Sequence, residues 1–80
     1  MSTYYIARVM GAAGYFTLCG RDNKRQCYGT MKAAKAAATR KMWDLGPAVS
    51  TSAQVIELVN GVPGYLVAMR GYVGTWRVFE

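Results

Sequence analysis

Only one stretch of this chain has a helical period, 31-MKAAKAAATRKMWDL-45, and strand-like segments stand on both sides of it. Thr30 precedes it as a capping residue, and Gly46-Pro47 closes it, since proline cannot continue a helix. A single helix covers a single face of a sheet. This constraint predicts an α+β domain with one antiparallel sheet of four to six strands, one helix packed on one face, and the order ββ(β)αβββ.

The strands are read from β-branched and aromatic runs bounded by turn residues. Segments 3-TYYIARVM-10, 15-YFTLCGR-21 and 25-RQCYG-29 precede the helix, with turns at 11-GAAG-14 and 22-DNK-24. Segments 53-AQVIELV-59, 65-YLVAMR-70 and 75-TWRVFE-80 follow it, separated by 60-NGVPG-64 and 71-GYVG-74. A three-residue loop at Asp22–Lys24 would set Arg21 opposite Arg25 and Cys19 opposite Cys27. A reducing cytosol then favours two free thiols over a cross-strand disulfide. At 80 residues, without an internal repeat or a linker, residues 1–80 read as a single domain.

At 100° per residue, Met31, Ala34, Ala38, Met42 and Leu45 share the inner stripe of the helix, flanked by Lys35 and Lys41. Alanine on that stripe lets the helix axis approach the sheet, and alanine elsewhere raises helix propensity. The outer side carries Lys32, Ala36, Thr39, Arg40 and Trp43. Alternation assigns Tyr5, Ala7, Val9, Phe16, Leu18, Ile56, Leu58, Tyr65, Val67, Met69, Trp76 and Val78 to the helix side of the sheet. It assigns Tyr4, Ile6, Arg8, Tyr15, Thr17, Val55, Glu57, Leu66, Arg70, Thr75 and Arg77 to the far side. The far side mixes aromatics, aliphatics and arginines, the composition of a contact surface, and a homodimer through it is one expectation.

Catalysis is not indicated. The chain lacks histidine, and its carboxylates are Asp22, Asp44, Glu57 and Glu80, dispersed over a turn, a helix end, a strand and the C-terminus. Two cysteines without histidine do not complete a zinc site, and a cysteine nucleophile would lack its usual base. Neither glycine turn fits a phosphate-binding loop, so neither enzyme activity nor a cofactor is expected. No signal peptide or membrane span is apparent, because Arg8 interrupts the N-terminal apolar run, and a cytoplasmic protein is expected.

Binding is what remains. A formal net charge of +6 favours an anionic partner: nucleic acid, an acidic protein surface, or anionic lipid. Two basic groups are candidates, Arg21, Lys24 and Arg25 on the loop, and Lys32 and Arg40 around Trp43 on the helix. Cations beside an exposed aromatic suit a phosphate backbone with stacking, or an acidic protein patch with one anchor.

The junction Tyr28-Gly29-Thr30-Met31, followed by Ala33-Ala34 and Ala36-Ala37, resembles the strand-to-helix junction of AP2 domains and of phage integrase arm-binding domains. That resemblance implies sheet-borne DNA contacts by Tyr15, Thr17, Arg21, Arg25 and Tyr28. The chain departs from those domains by adding strands after the helix. Its whole plan (short, basic, an alanine-rich helix ending in 43-WDLGP-47, a mixed sheet face) resembles small phage-encoded inhibitors of the anti-CRISPR type. That likeness implies a non-catalytic protein in the host cytoplasm, covering a host protein or ribonucleoprotein complex. The alternative is a small module reading duplex DNA through its sheet and basic loop.

Overall fold

The computed structural model describes residues 3–12, 14, 16–18 (backbone only) and 27–79. The expected α+β architecture is present: one antiparallel sheet with one helix on one face. Six strands, β1 Thr3–Gly11, β2 Phe16–Leu18, β3 Cys27–Tyr28, β4 Ser50–Val59, β5 Val62–Gly71 and β6 Arg77–Val78, fill five positions, and α1 spans Met31–Leu45. Their order is β2-β1-β4-β5-β6, with β3 beside β2 on the same edge of β1.

That edge corrects the expected hairpin. β2 pairs Phe16–Leu18 with Met10–Arg8, and β3 pairs Cys27 and Tyr28 with Ile6 and Tyr5. Both pieces run antiparallel to β1, so they point the same way and are not the two arms of one hairpin. The long edge of β1 satisfies more backbone groups than a short local pairing would. Cys19, and with it the proposed facing of two cysteines, lies outside the described residues.

The helix ends where its caps put it. Thr30 takes an extended φ, and its Oγ1 accepts the Ala33 N–H at 3.2 Å. Gly46, at φ 86°, sends its N–H to the Met42 carbonyl. The Ser50 hydroxyl is then shared between the Met42 and Gly46 carbonyls at 2.9 and 2.7 Å, and ties the end of α1 to the start of β4. Both carbonyls keep a backbone donor without it. Ser50→Ala should therefore cost only about 1 kcal/mol, read as a fall in thermal midpoint of ~4–8 °C.

A two-residue turn joins β4 and β5. Asn60 and Gly61 both take positive φ, 52° and 82°, as a type I′ hairpin requires. Val59 pairs directly with Val62, so the expected five-residue turn 60–64 is too long, and Pro63 lies inside β5. With Val59–Val62 as the closing hydrogen-bonded pair, the proline nitrogen points to the outer edge, where no ladder bond is lost.

The helix-side core holds Ala7, Val9, Ala34, Ala38, Met42, Ala53, Val55 and Ala68. The inner stripe of the helix was placed as expected, and so were Leu66 and Val67 of β5, but β4 and the C-terminal part of β5 were not. Ala7 pairs with Val55, Val55 with Ala68, and Ala53 with Arg70, so all of these share the helix side. Ile56, Leu58 and Met69, expected there, face away, Tyr65 is exposed, and Val55, Glu57 and Arg70, expected outside, share the helix side. The side chains of Phe16, Thr17 and Leu18 lie outside the described residues. Each strand is apolar on both sides, so hydrophobicity alone does not choose between them. Steric fit chooses: a helix presenting Ala34 and Ala38 seats on small residues, and Ala53, Val55 and Ala68 supply them.

Candidate interaction surface

Where the outer flank of α1 meets the β5–β6 end of the sheet, a groove of about 560 Å³ opens between two tryptophans. Lys35, Ala36, Thr39, Arg40, Trp43, Asp44 and Trp76 line it. Helical spacing sets out its α1 wall, since residues 36, 39, 40 and 43 share one side of the helix. The turn after β5 brings Trp76 up against that wall.

Each indole is held in its own way. Trp76 is half-buried against the helix-side core and donates its indole N–H to Thr39 Oγ1 at 3.2 Å. The Lys35 ammonium sits 5.9 Å from its ring centre. Trp43 is 56% exposed, with the Arg70 guanidinium 5.5 Å from its ring centre. Such cation–π contacts contribute roughly 0.5–1 kcal/mol apiece at exposed sites, enough to orient a ring without burying it. The groove thus has a fixed wall at Trp76 and a presented anchor at Trp43, with cations on both sides and Asp44 as the one acid.

The residues expected at a binding site divide between two surfaces. Arg40, Trp43 and Arg70 come together at the groove. Lys32 is exposed one turn further along α1 and does not line it. Tyr4, Arg8 and Arg77 belong to the opposite face of the sheet. Tyr15, Arg21, Lys24 and Arg25 lie outside the described residues. Lys35, Thr39 and Trp76 were not expected at the site. Spacing makes Lys35 a flank of the buried stripe, and alternation puts Trp76 on the helix side of the sheet, where the structure has it, but nothing local shows that its indole closes on Thr39 at the groove.

The far face is less open than its alternation suggests. Ile6, Ile56 and Leu58 form a second cluster and are buried, 3–8% exposed, with Leu66 packed against them. Beside them Arg8 donates through Nε to Gln54 Oε1 at 2.9 Å, and the Gln54 amide reaches Met69 Sδ at 3.9 Å. Burial lowers the pKa of Arg8, and the guanidinium still remains charged at neutral pH. What this face presents is the exposed Tyr4 and Arg77 and the half-buried Arg8 and Met69, with Gln54 and its apolar centre withdrawn. Tyr28, one of the DNA contacts implied by the AP2-like junction, is half-buried against the core beneath the helix.

The chain matches no family model, no curated protein and no solved structure. No helix among the described residues is long and apolar enough to cross a membrane. Among the described residues, no three His, Cys, Asp or Glu side chains group as metal ligands would. Cys27 is exposed as a free thiol at the β3 edge, across the sheet from the groove. Cys27→Ser should leave partner affinity within about twofold and shift stability by no more than about 0.5 kcal/mol, measurable by titration and denaturation.

Proposed function

We propose that this is a non-catalytic interaction protein, of the kind phages encode against host defence, which inhibits a nucleic-acid-handling complex by occupying its surface. One observation carries the reading. An exposed tryptophan, oriented by Arg70 and flanked by Arg40, stands at the mouth of a groove whose far wall is a second tryptophan. Tryptophan and arginine are the residues that dominate protein–protein binding energy, and they do so when packed together near the centre of a contact. The likeness to small phage-encoded inhibitors supplies the target class. The absence of histidine and the scattered carboxylates favour occupation over chemistry.

Capture from a bacterial lysate, with and without nuclease, tests this reading. A protein that is retained after nuclease treatment and lost from the Trp43→Ala variant supports it. Retention of nucleic acid alone, indifferent to Trp43, supports the other reading, a DNA-binding module. That module would have the exposed Tyr4 and Arg77 of the far face at its disposal.

A further inference from the structure

Granting that the groove is the docking surface, we infer that it takes an acidic protein segment carrying one aromatic or large aliphatic anchor residue, and not a run of nucleotides. Charge gives the first half of the inference. Lys35 and Arg40 on its walls and Arg70 against Trp43 face a single carboxylate, Asp44, and the helix has no acid in its first turn. A partner entering here meets a net positive surface and gains by bringing carboxylates.

Ring geometry gives the second half. Single-stranded nucleic acid is held by successive bases stacking on successive aromatic faces. Here Trp76 has its N–H committed to Thr39, its body packed on the core, and Lys35 over its ring. Trp43 has the Arg70 guanidinium 5.5 Å from its ring centre and is 56% exposed. One open indole beside one fixed indole is a slot for a single side chain. It is not a platform for a strand. About 560 Å³ suits such a side chain with the backbone on either side of it.

The test uses the full chain and three probes: a ten-residue Asp/Glu-rich peptide with one central phenylalanine, the same peptide with alanine at that place, and oligo(dT) of equal length. Binding is followed by tryptophan fluorescence and by the indole N–H signals. The phenylalanine peptide should bind and shift the Trp43 signal. The alanine peptide should bind about tenfold more weakly, and Trp43→Ala should lose ~30-fold or more, as for a central anchor. Arg40→Glu, an exposed change, should weaken it about tenfold and reduce its salt dependence. Oligo(dT) binding tighter than the peptide would overturn the inference in favour of a nucleic-acid groove. A silent peptide would overturn it too, and lysate capture then shows how far the failure extends. Protein capture still lost in Trp43→Ala leaves the groove as the docking surface with a different partner chemistry. Capture indifferent to Trp43 removes the groove reading as well.

Discussion

Trp43→Ala should weaken binding of the protein partner by ~2–4 kcal/mol, a loss of roughly 30- to 1000-fold, while leaving the fold intact. The fold should survive because the indole is more than half exposed and contributes nothing to the helix-side core, whose residue at this end of α1 is the neighbouring Met42. Lys32→Glu and Arg40→Glu should act differently, slowing association and reducing its dependence on salt more than they speed dissociation. Direct reading of duplex DNA predicts the reverse order. Affinity would then fall with log salt at a slope of about −0.9 per phosphate contact. Neutralising Arg21, Lys24 and Arg25 together would flatten that slope, and Trp43→Ala would change little. Titrations at several salt concentrations, with duplex and with the captured protein, separate the two. Tight, steeply salt-dependent duplex binding that survives Trp43→Ala would reject the groove.

How much of this was legible before the structure depends on whether the signal was local. The bounds of α1 were, because Thr30, Gly46 and Pro47 act on their own neighbours and need no tertiary context. The existence of β1, β4 and β5 was legible for the same reason. The pairing of Phe16–Leu18 and Cys27–Tyr28 was not. A polar turn such as 22-DNK-24 suggests local pairing, whereas the long edge of β1 accepted both flanking pieces. Pro63 and Gly64 disguised the start of β5, since both read as turn residues where Asn60-Gly61 already completes the turn.

The groove was half legible. Arg40 and Trp43 share a helix side by spacing alone, and alternation places Trp76 on the helix side, but Arg70 reaches them only through the inside–outside choice of β5, and Trp76 closes on Thr39 only through the turn after it. Small residues held the missing clue. Had the alanines of α1 been matched to Ala53 and Ala68, the strands would have been placed the right way round, and Arg70 with them. Hydrophobicity favours Ile56 and Leu58, but shape complementarity to an alanine-faced helix favours their neighbours.

That clue makes the largest stability prediction. Ala34 and Ala38 are fully buried against Ala53, Ala68 and Val55, which are fully buried in turn. A protein interior packed at crystal density leaves no room there for three further carbon atoms. Ala38→Leu should therefore push α1 away from the sheet at a cost of ~1–3 kcal/mol or more. Met42→Ala, removing the largest fully buried side chain among the described residues, should cost ~2–5 kcal/mol through the cavity it leaves. Against a total of roughly 0.05–0.15 kcal/mol per residue, either change takes a large share of the stability of a domain this small. Ala33→Leu, on the exposed side of the same helix, should stay within about 0.5 kcal/mol. Urea midpoints of the three variants check the order. Equal losses for Ala33→Leu and Ala38→Leu would mean that helix propensity, and not close seating, is what the alanines provide. If seating is the cause, Ala38→Leu should also disturb function. The groove is built across the same joint, so lifting α1 draws Thr39 from Trp76 and Trp43 from Arg70. A change in tryptophan emission and in peptide affinity, with no charge or aromatic residue altered, is the expected signature.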